Sequence, residues 1–415
     1  MLQHLLPGRS LVRSLRLRQW KSRNAAKNRL ILAIESSCDD SCVAVVASCG
    51  RVLAERNASQ LSMHAAYGGV VPSIAKRAHR LQLPSLISAV MRESRLTFQQ
   101  LDGIAVTVGP GLAPCLVIGL QRAKSLARRF NLPLFPVNHV EAHALSPWLQ
   151  LAHPTPMWSL VLSGGHSCIF AVKSANSILL HCATLDDAMG EAFDKAAVRL
   201  NLPGVGGGAI ERAAAAFHLA QRQETVVAQE SDSDKDKRAK SAESAVVRLP
   251  IPLERHRSPK ERPAFSFSGL KSALRRAIEA KEQPLTDSSR NMLAASFQQA
   301  AVTHVIQQVD RCLRRQPVEA GGTAMTVLGL GGGVAINKAL RQALQEWILH
   351  HPTSSSSDCH AALPTTLALA PLKYCGDNAV MIGRTAMWQW KPCLPGTVPF
   401  EQLDIEPRGL FRRHR

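Results

Sequence analysis

The stretch Leu30-Ile-Leu-Ala-Ile-Glu-Ser-Ser-Cys-Asp-Asp-Ser-Cys-Val-Ala-Val-Val46 decides the architecture, because the chain repeats its pattern further on. An apolar run (30–34) passes through small and acidic residues (35–41) into a second apolar run (42–46). This reads as two buried strands joined by a tight turn. Trp158-Ser-Leu-Val-Leu162, Ser163-Gly-Gly-His-Ser167 and Cys168-Ile-Phe-Ala-Val172 restate the same order. A third strand candidate follows each pair, at Arg51–Ala54 and Ile178–His181. The second half of the unit recurs too. Asp102–Val108 enters Gly109-Pro-Gly111 and a helical stretch to Arg129; Ala324–Leu330 enters Gly331-Gly-Gly333 and a helical stretch to about Leu349. A strand running through glycines into a helix lets the backbone approach an anion, and the helix N-terminus favours negative charge. Two copies in matching order predict a duplicated α/β fold with a ligand cleft between halves 30–150 and 151–392. A single doubly wound sheet explains the repeated order less well.

The chain has 415 residues, 46% of them hydrophobic, which excludes a wholly disordered chain or a collagen-like fibre. No apolar run approaches the ~18 residues of a membrane span. The ten cysteines are scattered without a Cys-x-x-Cys pair, against a zinc ribbon or disulfide framework and for reduced thiols. The formal net charge of +19 points to an anionic partner. Eight basic side chains and no acid fall within residues 1–29, however. That Arg-rich, Ser-containing segment, with leucines able to line one side of a helix, reads as a mitochondrial transit peptide. Residues 222–262, of mixed charge and little apolar periodicity, read as a long solvated loop or disordered insertion, and Thr353–Asp358 as a second flexible loop. Residues 393–415 read as a basic C-terminal tail.

His139 and His143 stand at i, i+4, on one face of a helix and within reach of one divalent metal. A zincin needs glutamate directly after the first histidine. Here Glu141 comes two residues on, about 200° round the helix. Asp377, in Gly376-Asp-Asn378 before an apolar helix, is the candidate third ligand; alternatively it is that helix's N-cap. Ser163-Gly-Gly-His166 and Gly204-Val-Gly-Gly-Gly208 offer backbone donors, the latter before a helix beginning near Ile210-Glu211. Asp194 is a candidate acceptor for ribose hydroxyls. Basic side chains cluster at Lys76, Arg77, His79 and Arg80, at Arg122, Lys124, Arg128 and Arg129, and at Lys271, Arg275 and Arg276. Aromatic content is only 5%, so contact with the phosphate backbone of a folded RNA is a better use for them than an extended base-stacking platform.

Together these motifs resemble the TsaD family of tRNA N6-adenosine threonylcarbamoyltransferases, in its mitochondrial branch. The matching pieces begin with Ile34-Glu-Ser-Ser-Cys-Asp-Asp40, Tyr67-Gly-Gly-Val-Val-Pro72, Gly109-Pro-Gly-Leu112, His139-Val-Glu-Ala-His143 and Leu162-Ser-Gly-Gly-His166. They continue with Asp186-Asp-Ala-Met-Gly-Glu-Ala-Phe-Asp-Lys195, Phe265-Ser-Phe-Ser-Gly-Leu-Lys271, Gly331-Gly-Gly-Val-Ala-Ile-Asn337 and Asp377-Asn378. The resemblance implies an actin-like ATPase fold. It implies His139, His143 and Asp377 as ligands of one divalent metal ion, zinc or iron. It implies that Val161, Leu162, Ser163, Gly164, Gly165, Asp194, Gly207, Glu211 and Asn337 hold an adenylate, with Ile336 and Gly376 lining the site through their backbones. The implied reaction takes the threonylcarbamoyl group of threonylcarbamoyl-AMP, made by a separate synthase, to N6 of the adenosine 3′ of the anticodon. The implied acceptors are mitochondrial tRNAs reading codons that begin with adenine, and the implied setting is a homodimer in the matrix.

Ser73, Pro114 and Gly208 depart from the family's usual glutamate, glycine and proline, which bears on loop geometry. No residue is identified as general base; Glu191 and Lys195 are merely near Asp194 in sequence. Three other readings compete. A kinase-like or chaperone-like ATPase would carry Asp-x-Gly-Thr in the first turn, where this chain has Glu35-Ser-Ser-Cys-Asp39. A metallopeptidase would need the adjacent glutamate. A non-catalytic RNA-binding protein would be favoured by tRNA modification unaltered after Asp377→Ala or His143→Ala.

Overall fold

The computed structural model describes residues 28–64, 67, 69–204, 206–230, 247–254, 262–315, 325–350 and 363–409. Residues 1–27, on which the transit-peptide reading rests, the Thr353–Asp358 loop, most of the 222–262 insertion and the last six residues lie outside them.

The first half runs β1 (Leu30–Glu35), β2 (Asp40–Ala47), β3 (Val52–Ser59), α1 (Leu61–His64), α2 (Pro72–Ser94), β4 (Gly103–Gly109), α3 (Ala113–Phe130), β5 (Leu134–Asn138) and α4 (His139–Leu145). The second runs β6 (Met157–Leu162), β7 (Ser167–Ser174), β8 (Ser177–Ala183), α5 (Met189–Arg199), α6 (Gly207–Glu230), α7 (Ser268–Glu279), α8 (Asp287–Arg314), β9 (Val327–Gly331), α9 (Lys338–His350), β10 (Thr366–Leu369), α10 (Ala379–Gln389) and α11 (Val398–Glu401). The two sheets have one topology. Their strand orders are β3-β2-β1-β4-β5 and β8-β7-β6-β9-β10. In each, the first three strands are antiparallel and the other two are added in parallel. The predicted duplication is therefore present strand for strand, in the actin-like arrangement. β1, β4 and β6 are apolar almost throughout because they are covered on both faces.

Each half lends a helix to the other. α10 covers the first sheet, with Val380, Met381 and Ile382 packed against Ile31, Ala33 and Val46. The approach is so close that a Cβ on Gly383 would lie 2.5 Å from Val46 Cγ2. α4 presents Val140, Ala144 and Leu145 to Met157 and Val161 of the second sheet. A Cβ on Gly331 of β9 would stand 2.4 Å from the His143 carbonyl oxygen.

Two sequence expectations need correction. α6 extends to Glu230, so residues 222–230 are helical rather than loop. Their Gln, Glu and Ala are strong helix formers and no glycine or proline interrupts them. At the far end of that insertion Val247 and Leu249 pack against the second core. Residues 393–409 are not a basic tail but a strap docked on the first half. Cys393 pairs with Leu134, and Phe400 is fully buried in the first core. The Glu406 N–H donates to the Val108 carbonyl (2.7 Å), and the Gly111 N–H to that of Pro407 (3.0 Å). Lys124 donates to the Leu403 carbonyl, and Arg128 pairs with Glu401.

Candidate active site

The Asn138 side chain ends β5 and caps α4, accepting from the N–H groups of Val140 (2.9 Å) and Glu141 (3.1 Å). The helix it starts puts His139 and His143 on one face, both buried. α10 is capped by Asn378, whose Oδ1 accepts from the Met381 N–H at 2.8 Å. The capping alternative for Asp377 is thereby excluded, and its carboxylate faces the histidines instead. Asp377 Oδ1 lies 3.2 Å from His143 Nε2 and 3.5 Å from His139 Nε2. The three donor atoms all fall within 4.8 Å of one another. Bonds of about 2.05 Å to one tetrahedral ion would set its ligand atoms about 3.3 Å apart, so the donor set fits a divalent metal with a fourth position left over. Glu141 is turned away and accepts from the Gln389 amide (2.8 Å), which removes the protease-type base.

Sequence reasoning missed Glu35. It is fully buried at the end of β1, with Oε2 3.1 Å from His139 Nδ1 and also accepting from the Thr107 hydroxyl. Its Oε1 accepts from the Ser37 N–H at 2.5 Å. A carboxylate can only accept here, so the proton is assigned to His139 Nδ1 and Nε2 is left facing Asp377. Burial works against the charge on Glu35, but the adjacent His139 charge and its hydrogen bond hold the carboxyl below its usual range. Asp377 is likewise pulled down against burial by His139 and His143. Burial would lower His139, yet the two flanking carboxylates raise it to about 9. His143 is lowered by burial and by the charge of His139. Two carboxylates held ionised around one imidazolium make a site that accepts a cation in place of that proton.

The predicted adenylate residues form two neighbouring groups. Val161 and Leu162 are buried in β6, so only their backbones can meet a ligand. The turn beyond is closed by the Ser163 N–H on the His166 carbonyl (2.8 Å) and leaves Gly164 and Gly165 open. α5 starts against this turn, and a Cβ on Gly190 would lie 2.9 Å from the Gly164 nitrogen. Asp194, on α5, accepts from the Gly207 N–H at the start of α6, and burial raises its carboxyl. Gly206 beside it has φ of +70°, a left-handed conformation suited to glycine. In the second group Glu211 Oε1 accepts from the Lys338 N–H (2.8 Å), and Asn337 Oδ1 from the Leu340 N–H (2.9 Å), at the start of α9. Asn337 Nδ2 donates to Gln298 Oε1 (2.9 Å), and Ile336 is exposed next to it. Gly332, with φ of +89°, joins the groups; a Cβ there would lie 2.3 Å from the Leu162 carbonyl oxygen. Gly376 has open space above it and adjoins Asp377. Glu191 and Lys195 pair with each other at 2.6 Å on the surface, so neither stands as a base at the cleft.

The tRNA N6-adenosine threonylcarbamoyltransferase family model, TsaD, matches residues 51–384. Curated relatives under that description include one from Methylobacterium nodulans, 41% identical over 85% of this chain and 89% of the relative. Another, from Sinorhizobium medicae, is 37% identical over 92% of this chain and 94% of the relative. Similar solved structures include (R)-2-hydroxyglutaryl-CoA dehydratase component A of Acidaminococcus fermentans (TM-score 0.45, 13% identity, 87% of this chain and 98% of that one). T. kodakarensis HypF gives a TM-score of 0.49 at 12% identity, over 86% of this chain and 47% of that one.

Proposed function

The chain belongs to the TsaD family of tRNA N6-adenosine threonylcarbamoyltransferases, and from that premise we propose the donor, the acceptor and the setting of its reaction. The enzyme takes the threonylcarbamoyl group of threonylcarbamoyl-AMP, supplied by a separate synthase. The acceptor is N6 of the adenosine 3′ of the anticodon, in mitochondrial tRNAs that read codons beginning with adenine. A bond forms between N6 and the carbamoyl carbon, the bond from that carbon to the phosphate oxygen breaks, the amine gives up a proton, and AMP leaves.

The observation that carries this reading is the convergence of His139, His143 and Asp377 from opposite halves of the chain. The acid-free start at 1–29 supports a matrix destination, and a homodimer follows the family's mitochondrial branch. The open backbone of Gly164 and Gly165, at the N-terminus of α5, receives the adenylate phosphate. Asp194 and Glu211 accept from the ribose hydroxyls, and Asn337 fixes the start of α9 beneath the nucleotide. The backbones of Val161, Leu162, Ser163, Ile336 and Gly376 complete the lining. His139, His143 and Asp377 would hold one zinc or iron ion. When bound, the ion supplies Lewis-acid polarisation of the threonylcarbamoyl group. The chain's main contribution is then orientation of donor against acceptor.

The test is mass analysis of mitochondrial tRNA nucleosides from cells with and without the protein. Loss of threonylcarbamoyladenosine is expected, and an unchanged level refutes the proposal. His143→Ala should fail to restore the nucleoside.

A further inference from the structure

From Arg56 to Arg92 the chain contains no aspartate or glutamate. Within that stretch Lys76, Arg77 and Arg80 are exposed within the first nine residues of α2. Lys76 and Arg80 are i, i+4 and Arg77 and Arg80 are i, i+3, so the three cations share one face. Like charges so spaced repel and weaken the helix. Among the described residues none of the three has a hydrogen bond or ion pair. Several other surface cations are neutralised: Arg56 by Glu93, Arg128 by Glu401, Arg290 by Asp287 and Lys373 by Glu55. The face therefore carries an unfavourable charge cluster with no structural return.

Its position ties it to the cleft. On the buried side of the same turns, His79 Nε2–H donates to the Cys38 carbonyl (2.9 Å), and Nδ1 accepts from the Ser41 hydroxyl (2.7 Å). Cys38 follows Ser37, whose hydroxyl is 3.3 Å from His139 Nδ1. The Gln60 N–H donates to the Asp39 carbonyl (3.0 Å), so the segment leading to α2 starts from the same turn. That segment carries Tyr67, 64% exposed.

We propose that Lys76, Arg77 and Arg80 of α2 bind the phosphate backbone of the tRNA substrate, with Tyr67 at the head of the helix offering a stacking surface to an unpaired base. The inference rests on the tRNA reading above and deepens it by assigning the surface that receives the RNA. An unneutralised cationic face on the helix whose buried side holds the Cys38 turn complements a polyanion. A single exposed aromatic suits the splayed bases of a loop. A protein partner would have to bring a matching acidic surface, whereas the tRNA is a polyanion along its whole length.

The test uses the full chain and an unmodified transcript of a tRNA with adenosine 3′ of its anticodon. Binding is measured from 50 to 300 mM salt for the wild type, Lys76→Gln/Arg77→Gln/Arg80→Gln, Tyr67→Ala and Tyr67→Phe. Each phosphate contact contributes about 0.7–0.9 to the slope of log affinity against log salt. The triple variant is expected to lose about 2–3 from that slope and to bind at least tenfold more weakly, while AMP binding is retained. Tyr67→Ala is expected to weaken binding about tenfold with the slope unchanged, and Tyr67→Phe to restore it. Wild-type affinity and slope in the triple variant overturn the inference while leaving the transferase reading intact. So does a change only in oligomeric mass on light scattering, which would identify a subunit interface. A wild type that neither binds nor modifies the transcript overturns both.

Discussion

Glu35→Gln should cost the metal site most of its affinity without disturbing the fold. The substitution keeps the shape of the side chain but turns one acceptor oxygen into a donor. That side chain accepts from the Ser37 N–H at 2.5 Å through one oxygen, and from the Thr107 hydroxyl and His139 Nδ1 through the other. If the new amide faces Ser37, two donors are buried against each other. If it faces His139, the ring must surrender its Nδ1 proton and carry one on Nε2, the atom 3.5 Å from Asp377 Oδ1. A protonated Nε2 cannot ligate a metal. Loss of such an outer partner weakens metal binding about 10- to 100-fold, or roughly 1.4–2.7 kcal/mol. Equilibrium dialysis against buffered Zn²⁺ and Fe²⁺, with metal read by mass spectrometry, gives the affinity, and ¹⁵N spectra of the imidazoles give the tautomer. An unchanged circular dichroism spectrum controls for folding. Metal affinity within twofold of wild type, with the His139 proton still on Nδ1, would refute this account of Glu35.

Because His139 is raised to about 9, metal must displace a proton, and affinity should strengthen as pH rises from 6 towards 9. In the metal-free protein the same imidazolium contributes stability that is full below its ordinary value near 6.5 and lost as pH passes about 9. Asp377 and Glu35, both depressed, contribute stability present above the usual carboxylate range and lost on acidification. Urea titrations with chelator at pH 6 and pH 9.5 should therefore favour pH 6. Gly332→Ala forces a side chain into φ of +89° and against the Leu162 carbonyl; about 1–3 kcal/mol of stability should be lost, along with AMP affinity by calorimetry. Phe400→Ala should cost about 3–5 kcal/mol in denaturant unfolding, since the ring is fully buried in the first core.

Much of the fold was legible because its signals are local. The run from Leu30 to Val46 and its counterpart from Trp158 to Val172 each show two strands and a turn within a short window, and glycines mark both strand-to-helix junctions. The histidine pair was legible for the same reason, since i, i+4 is a helical period. What escaped was whatever depends on distant partners. Glu35 reads as a turn residue until the fold brings it to His139, 104 positions away. Asp377 and Asn378 both suit a cap, and only the observed hydrogen bond to Met381 separates them. The strap at 393–409 has no periodicity of its own, because its order comes from the first half. The unpaired state of Lys76, Arg77 and Arg80 was equally invisible, as charge pairing is a property of neighbours in space.

The exchange of α4 and α10 between the halves sets a timetable for synthesis. Asp377 and the helix that covers Ile31, Ala33 and Val46 are made after every strand of both sheets. Until they emerge, the first sheet waits with one apolar face bare and the two histidines lack their carboxylate. A nascent chain can complete ten strands and still lack one of the three residues of the centre. A frameshift just past Leu369 would leave all ten strands encoded while removing Asp377 and the helix that covers the first sheet.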